Sequence, residues 1–281
     1  MTSQKIKECN TLIFSRLAEY LNNCPDFVSC EMVSETAQSC GFGREEAFRT
    51  LISGALGLYD DREMRDGYLR HMFRLLDAAQ YESDKYYSEI SLKPKTLGNW
   101  RIDKVRIKPY EAFVYNDPKV CTDGRILPQI GFFDREFEYP CIYQDSREWM
   151  MITPNEIETM RRPISEAFGR VVTYGLGLGY FAFMCSQKTE VSSVTAVECD
   201  EKAIRLFESE ILPQFTRRDK IKIVRADAFE YAAENSDCDF VFADIWHDPT
   251  DGVAAYRRLK ELEKPGIRYS YWIEDTLKLY L

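Results

Sequence analysis

A glycine-rich turn follows one predicted strand, and an acidic residue closes the next strand. The turn is the segment GLGLG at residues 175–179, and Glu198 stands 23 positions after Gly175. Glycine lets a ligand approach the backbone without a Cβ in the way, and a carboxylate at the neighbouring strand end can accept hydrogen bonds from both ribose hydroxyls. The combination predicts a site for an adenosine-type ligand, although the turn could also serve packing alone. A dinucleotide fingerprint needs glycine where Tyr180 stands, so a nucleoside without a pyrophosphate fits better.

A second group of chemically active residues stands at the end of a later predicted strand. Asp244 is followed closely by Trp246 and His247. Open α/β sheets bind their ligands at the carboxyl ends of the strands, and a histidine can titrate near neutral pH. We therefore take Asp244 and His247 as candidate catalytic residues, needed if an acceptor must lose a proton. The alternative is a loop of polar turn residues.

Strand and helix patterns alternate from residue 170 onward. The predicted strands read RVVTYGL, SSVTAVE, KIKIVRA, DFVFADI and RYSYWIE. Alternation of this kind predicts an α/β fold with a parallel sheet, here of about five strands. Ahead of the sheet, a helix is predicted over about 155–168, with Thr153 as its cap and Pro154 in its first turn. Further helices are predicted at 201–212 and near 253–262.

The first half of the chain has a different pattern. Apolar residues between 5 and 90 recur at helical spacing, whereas 100–143 contains alternating and aromatic runs typical of a small antiparallel unit. We expect a helical N-terminal domain over 1–95, a small β segment over 96–145 and a Rossmann-like domain over 146–281. Residues 34–52 have the spacing of a helix-turn-helix, but the acidic residues around them disfavour phosphate binding. We interpret them as a helical cap or a dimerisation element.

Composition narrows the class of partner. The 281 residues carry 37 Lys and Arg against 46 Asp and Glu, a formal net charge of −9. An acidic chain repels nucleic acid, so we expect a small-molecule substrate and no nucleic-acid partner. Nine scattered cysteines without a C-x-x-C pair and only two histidines give little material for a metal site, and we assign none. No apolar run is long enough to span a membrane, so we expect a cytoplasmic protein.

Residues 146–281 resemble the class I S-adenosylmethionine-dependent methyltransferases. Four segments carry the resemblance in the expected order: TYGLGLGYF, VTAVECD, VRADAF and FVFADIWHD. The resemblance implies S-adenosylmethionine as cofactor, and as its binding residues Tyr174, Gly175, Gly177, Gly179, Glu198, Asp227, Ala228 and Asp244. The glycines would line its amino-acid and ribose parts, and Glu198 would hold the ribose. Asp227 and the Ala228 amide would meet the adenine edge, although Asp227 could equally cap the short helix after it.

The resemblance also suggests where a substrate or lid would lie. The segment 149–156 corresponds to a stretch that often lies over the cofactor, which makes Trp149, Thr153 and Trp246 candidates for substrate or lid contact. The same segment could be a buried connector.

The order of segments is similar to one branch of that fold, the spermidine synthases. A β-rich segment, a helix, the glycine loop, VECD and the FADIW segment follow one another as in these aminopropyltransferases, and Asp244 occupies the place of their catalytic aspartate. These enzymes usually carry an acidic residue inside the glycine loop, where this chain has Leu178. The similarity therefore bears more on architecture than on reaction.

Together these patterns predict a methyltransferase that acts on a small or medium-sized substrate. Three alternatives stay open: an aminopropyltransferase that uses decarboxylated S-adenosylmethionine, a non-catalytic regulator that senses the cofactor and, more distantly, a nicotinamide oxidoreductase. A homodimer through the N-terminal half is a further expectation.

Overall fold

The computed structural model describes residues 2–144 and 147–281, with the backbone alone at Leu97. Its contacts divide the chain into two compact units, each made of two segments. Unit 1 comprises Met1–Tyr81 and Val105–Tyr139, and unit 2 comprises Glu82–Lys104 and Pro140–Leu281. The division into three consecutive domains stays a prediction, and the compact units follow other boundaries.

The described residues form α-helices of very different length, which are listed in chain order. They are α1 (Ser3–Asn23), α2 (Cys30–Cys40), α3 (Arg44–Ala55), α4 (Arg62–Met64), α5 (Arg70–Met72), α6 (Ala78–Glu82), α7 (Lys85–Glu89), α8 (Pro154–Glu166), α9 (Tyr180–Ser186), α10 (Glu201–Leu206), α11 (Ala228–Glu234), α12 (Pro249–Glu261) and α13 (Glu274–Lys278). Two π-helical turns, Arg65–Leu69 and Phe207–Ile211, and two 3₁₀ turns, Leu212–Gln214 and Arg218–Lys220, complete the helical structure.

The strands form three sheets. They are β1 (Phe73–Leu75), β2 (Lys95–Leu97), β3 (Trp100–Ile107), β4 (Phe113–Val120), β5 (Ile126–Phe132), β6 (Phe137–Gln144), β7 (Arg147–Met151), β8 (Gly169–Tyr174), β9 (Val191–Glu198), β10 (Ile221–Arg225), β11 (Phe240–Ala243) and β12 (Arg268–Tyr271).

Unit 1 combines the first helices with a three-stranded sheet of order β1-β5-β4. Helix α1 presents one buried stripe at intervals of three and four residues, formed by Ile6, Cys9, Ile13, Leu17 and Tyr20. The segment 34–52 lies on α2 and α3, which are joined by a turn at Gly41 with φ of 68°. The buried stripe of α1 and the left-handed glycine after α2 thus account for the packing of α1 and the end of α2.

Two expectations for the first half were wrong in detail. Strand β1 lies inside the segment that was predicted to be helical, because its backbone pairs in parallel with β5. The region from 100 to 143 contributes to two sheets rather than one antiparallel unit. β4 and β5 form an antiparallel pair in the first sheet, while β3 and β6 belong to a four-stranded sheet of order β2-β3-β6-β7. Non-local pairing of this kind leaves no signal in local periodicity.

Unit 2 contains a five-stranded sheet of order β10-β9-β8-β11-β12, in which every pair of neighbours is parallel. This confirms the prediction of an α/β, Rossmann-like sheet of about five parallel strands. The chain runs outward from the central β8 to β10 and then returns to β11 on the other side of β8. In open α/β sheets the ligand binds where the strand order reverses in this way, which here is the carboxyl edge between β8 and β11.

The helices of unit 2 lie where the sequence predicts them, with two differences. Helix α8 confirms the predicted helix after Thr153, but α10 is continued by a π-helical turn where one α-helix was expected. Helix α12 begins at Pro249, earlier than expected, because the side chains of Asp248 and Asp251 both accept backbone hydrogen bonds at its start. None of the helices in 2–144 and 147–281 combines the length and apolar character needed to cross a membrane.

Candidate active site

A cavity of about 840 Å³ lies at the carboxyl ends of β8, β9 and β11. Its lining residues all belong to unit 2, and they include the glycine-rich turn after β8, Glu198 at the end of β9 and Asp244 after β11. Pockets for small molecules and cofactors usually measure roughly 300–1,000 Å³. The cavity therefore lies where the sheet order predicts a ligand and is large enough for a nucleoside cofactor.

The glycine wall, which we define as residues 175–179 together with Glu198, forms one side of this cavity. All three of its glycines have left-handed backbone angles: φ is 91° at Gly175, 51° at Gly177 and 76° at Gly179. A Cβ at Gly175 would overlap the backbone carbonyl oxygen of Asp244, and one at Gly179 would overlap the Phe207 ring. These two glycines are therefore required for packing.

Gly177 differs from its two neighbours in the turn. A Cβ built on Gly177 would have no described atom within 4 Å, and the residue lines the cavity. Its lack of a side chain keeps space open instead of relieving a clash. Gly177 is thus the position of the turn at which a ligand could approach the backbone most closely.

Glu198 is held by the backbone on both of its carboxylate oxygens. Oε1 accepts a hydrogen bond of 2.8 Å from the amide of Asp200, and Oε2 accepts one of 3.3 Å from the amide of Leu176. Each carboxylate oxygen can accept more than one hydrogen bond. The side chain is therefore oriented towards the glycine turn and keeps acceptor capacity for a ligand.

Two tyrosines outside the sheet support the glycine wall. The buried Tyr86 hydroxyl donates a 2.6 Å hydrogen bond to the carbonyl of Leu178, and Tyr180 donates one of 3.0 Å to Asp84. Burial raises the pKa of Tyr86 above its usual value, so this hydroxyl stays a donor. Sequence reasoning gave Tyr86 no role at the site, because nothing local to residues 84–87 indicates contact with a turn some ninety residues later.

The structure does not bring every sequence-predicted cofactor residue to the cavity. The Tyr174 ring is buried in the apolar core beside the Tyr231 ring, with 6.3 Å between ring centroids. The carboxylate of Asp227 caps α11, accepting hydrogen bonds from two backbone amides. Tyr174, Asp227 and Ala228 are absent from the cavity lining. Their roles in cofactor binding stay predictions.

The acidic wall, which we define as Glu156 and Asp244, forms another part of the cavity lining. Glu156 lies in the first turn of α8, where its Oε2 accepts a 2.8 Å hydrogen bond from the amide of Thr153. In return the Glu156 amide donates to the Thr153 hydroxyl at 3.4 Å. Asp244 follows β11 directly, and its amide donates to the carbonyl of Tyr174 at 2.8 Å. The start of α8 thus positions the carboxyl of Glu156, and the end of β11 positions the carboxyl of Asp244.

Burial dominates the electrostatics of the acidic wall. It raises the pKa of Asp244 to about 7. The pKa of Glu156 is also raised well above its usual value, first by burial and further by the charge of Asp244, against the hydrogen bond from Thr153. Among the described residues, no cation pairs with either carboxyl and no donor is bonded to the Asp244 carboxylate. The acidic wall can therefore hold a proton near neutral pH and lacks a positive partner.

Sequence reasoning included Glu156 only as the end of the segment 149–156 and gave it no role of its own. The pattern Thr153-x-x-Glu156 ahead of an apolar helix is a capping box, and the structure contains it. That signal predicts the helix start correctly. It does not reveal that the capping glutamate lines a cavity, because this depends on the sheet packed against the helix.

Aromatic side chains and Thr153 complete the cavity, and they are the remaining candidates. Trp149, Thr153, Trp246 and His247 all line it. The Trp149 and His247 rings meet edge to face with 5.2 Å between centroids, and His247 Nδ1 lies 3.2 Å from Asp251 Oδ2. Trp246 is buried, and its indole nitrogen has no hydrogen-bond partner among the described residues. The candidates for catalysis and for substrate contact are therefore brought to one cavity.

Comparison with known proteins gives partial similarities only. No family model and no curated protein matches this chain. Among solved structures it is similar to precorrin 8w decarboxylase from Methanobacterium thermoautotrophicum, with 20% identity over 46% of this chain and 69% of that one, at a TM-score of 0.34.

Two further structures match a smaller share of their own length. The C-terminal domain of precorrin-6Y C5,15-methyltransferase from Rhodobacter capsulatus has 18% identity, covering 43% of this chain and 62% of that one, at a TM-score of 0.34. Spermidine synthase from Thermotoga maritima has 15% identity, covering 64% and 55%, also at a TM-score of 0.34. This chain thus spans less than two thirds of these two proteins.

Proposed function

We propose that this protein binds S-adenosylmethionine and transfers its methyl group to a small or medium-sized acceptor. The observation that carries the proposal is the open space at Gly177 beside Glu198, at the edge where the strand order of the sheet reverses. The glycine removes a steric barrier, and the carboxylate supplies acceptors for ribose hydroxyls. This pairing suits a nucleoside that carries no pyrophosphate.

The residues present fit such a cofactor. A Cβ at Gly177 would project into open space, and Gly177 and Glu198 both line the cavity, which leaves room for a ligand beside the carboxylate. Glu198 would hold the ribose, and Gly177 would allow the backbone to approach it. When bound, S-adenosylmethionine supplies a methyl group on a positively charged sulfur, which a lone pair of the acceptor can attack.

The chain itself would contribute orientation, exclusion of water and control of a proton. In-line methyl transfer depends mainly on alignment, which a preorganised site provides. The hydrogen bonds to Glu198 from Leu176 and Asp200 fix the cofactor side. The carboxyl of Asp244, with its pKa raised to about 7 by burial, can accept a proton from an acceptor near neutral pH.

Calorimetric titration with S-adenosylmethionine, S-adenosylhomocysteine, decarboxylated S-adenosylmethionine and NADH tests the proposal. We expect saturable binding of the first two, weakened about tenfold or more in Glu198→Gln, because hydrogen bonds to a charged group contribute roughly 1.5–3 kcal/mol. Glu201→Gln is the matched control, since Glu201 is outside the cavity lining and pairs with Arg205 and Arg225 on the surface.

A second variant separates loss of binding from loss of the glycine turn. Glu198→Gln also removes an acceptor from one backbone amide, so its melting temperature must be compared with that of the wild type. Gly177→Ala adds a methyl group in open space and should weaken cofactor binding while the fold persists. Absence of binding by the wild type, or wild-type affinity in both variants, would overturn the assignment. Binding of NADH alone would indicate an oxidoreductase instead.

Aminopropyl transfer is the second candidate, and the charge of the cavity favours it. Among the described residues, the lining contains the acidic side chains of Glu148, Glu156, Glu198 and Asp244 and the guanidinium of Arg147. Such a lining attracts polycations and the decarboxylated cofactor, which has lost a negative charge. Stronger binding of decarboxylated S-adenosylmethionine, with product formation from putrescine, would identify this reaction. Methyl transfer without any aminopropyl product would exclude it.

A further inference from the structure

The carboxyl of Glu156 has more acceptor capacity than its role as a helix cap uses. As a helix cap it needs only one oxygen, Oε2, which accepts the hydrogen bond from the Thr153 amide. The carboxyl nevertheless lines the same cavity as Asp244, and burial and the neighbouring acid both disfavour its ionised form. A polar uncharged residue would cap α8 without this cost.

A second acidic helix start in the same unit shows what capping alone requires. In α12 the capping acid is Asp251, which receives hydrogen bonds from the amides of His247 and Asp248. Its side chain is about half exposed and it does not line the cavity. Because Asp251 performs the capping task at the surface, the burial of Glu156 calls for a separate explanation.

The chemistry of the acidic wall points to a cation. Two neighbouring carboxyls without a counterion repel each other, and a positive group between them removes the repulsion and satisfies their free oxygens. The Trp149 ring and the buried Trp246 line the same cavity, and aromatic faces also attract ammonium groups. Both features favour an organic cation over a neutral or anionic acceptor.

We propose that Glu156 and Asp244 together bind the protonated amino group of the acceptor, so that the substrate class is a primary or secondary amine. The inference rests on the proposed methyl transfer and names its acceptor. Glu156 acts here as a specificity-determining residue, whose charge selects amines over alcohols of the same shape.

The proton balance of this arrangement is complete. The bound ammonium gives one proton to the carboxylate pair, which frees the lone pair on nitrogen. That lone pair forms the new nitrogen–carbon bond to the methyl group, while the carbon–sulfur bond breaks and its electron pair returns to sulfur. The product leaves as a methylated amine, and the carboxyl releases its proton to solvent. No oxidant, reductant or metal is required.

The test measures binding of simple probes to the full chain by calorimetry, with and without S-adenosylhomocysteine. The probes are benzylamine, putrescine and benzyl alcohol, and the variants are Glu156→Gln, Asp244→Asn and the control Glu201→Gln, which lies outside the cavity lining. Gln at position 156 keeps an acceptor for the Thr153 amide, so α8 should keep its start. We expect the amines to bind about tenfold or more weakly to the first two variants, and within about twofold of wild type in the control. Benzyl alcohol should bind more weakly than benzylamine to the wild type.

Each contrary result has a distinct meaning. Amines that bind no better than benzyl alcohol, or equally well to wild type and Glu156→Gln, would overturn the inference while leaving cofactor binding untouched. The amino group of the cofactor is the other possible occupant, and 5′-methylthioadenosine, which lacks it, separates the two. If Glu156→Gln weakens S-adenosylhomocysteine but not 5′-methylthioadenosine or the amines, the acceptor role is overturned. If amines bind as expected and no cofactor binds, the acidic wall is supported and the proposed methyl transfer fails.

Discussion

The glycine wall and the acidic wall line one cavity but are stabilised in opposite ways. In the glycine wall the polar groups have partners in the chain: both oxygens of Glu198 accept backbone hydrogen bonds, and the Leu178 carbonyl accepts one from Tyr86. In the acidic wall Asp244 has no such partner among the described residues, and Glu156 has one at Oε2. The carboxylate of the first wall is oriented through both of its oxygens by the chain itself, whereas the carboxyls of the second have acceptor capacity that the described residues leave unused.

This difference teaches where the protein gives up stability for function. Partly buried carboxyls with few partners destabilise the folded state, and natural proteins retain such groups mainly at functional sites. The glycine wall carries a smaller cost, because its left-handed residues are glycines and can adopt these angles without a Cβ clash. Variants in the two walls should therefore change stability in opposite directions.

The largest loss of stability from a substitution is expected in the glycine wall, from Gly175→Ala. Its Cβ would overlap the carbonyl oxygen of Asp244, and backbone at that point cannot move without disturbing β11. We expect the free energy of unfolding to fall by about 3 kcal/mol or more, measured by urea denaturation. Gly177→Ala is the control. It has space for the methyl group and should lose only about 1–2 kcal/mol to the left-handed angle. Equal losses would show that packing does not distinguish the two glycines.

Asp244→Asn, in the acidic wall, should raise the free energy of unfolding above neutral pH, which is opposite to the effect of Gly175→Ala. The pKa of this carboxyl is raised to about 7 in the folded protein, so the unfolded chain releases the proton at lower pH than the folded one. Its contribution to stability is complete below the pKa of the unfolded chain and is lost as the pH rises to about 7.

We therefore expect the wild type to lose about 4 kcal/mol between about pH 4 and pH 8 through this group, and Asp244→Asn to lose less. The measurement is urea denaturation of both proteins across that range. Carboxyls outside the acidic wall contribute equally to both proteins, whereas the pKa of Glu156 depends on the charge of Asp244, so the difference between the two curves reports the coupled pair. A constant difference at all pH values would contradict the raised pKa.

Tyr86→Phe tests whether the glycine wall depends on its outside support. The ring would keep its contacts with the Tyr180 and Phe183 rings, but the Leu178 carbonyl would lose its donor. Leaving a buried acceptor unpaired costs about 1–2 kcal/mol. Tyr180→Phe is the matched variant, and it should cost less, because Asp84 is only partly buried and keeps a bond from the Tyr86 amide. A smaller effect of Tyr86→Phe on the unfolding midpoint would contradict this role.

The same contrast explains which parts of the site could be predicted from the sequence. The five-stranded sheet, the glycine turn and Glu198 follow from strand and helix alternation and from glycines at fixed spacing, which are local properties. The order of the strands then brings the turn and Glu198 together automatically. Asp244 was found for the same reason, since it ends a strand at that edge.

Residues outside this logic were not predictable. Tyr86 reaches Leu178 across 92 positions of the chain, and Glu156 reads as an ordinary helix cap. Strand β1 is hidden in a helical pattern, because its three residues pair with the distant β5. In each case the role depends on tertiary contacts, which local propensity does not encode. Local spacing therefore identified the glycine wall more completely than the acidic wall.

The smallest expected effect separates the charge of Glu156 from its capping role. Thr153→Ala removes the hydroxyl that accepts from the Glu156 amide, and loss of such a cap costs about 1 kcal/mol. The Thr153 amide would still donate to Glu156 Oε2, which keeps the carboxyl in place. We expect a lower unfolding midpoint but amine binding within about threefold of wild type. Asp248→Ala, which removes the cap of α12, should have a similar cost. If Thr153→Ala weakens amine binding as much as Glu156→Gln, the acidic wall acts through the position of α8 and not through the charge of Glu156.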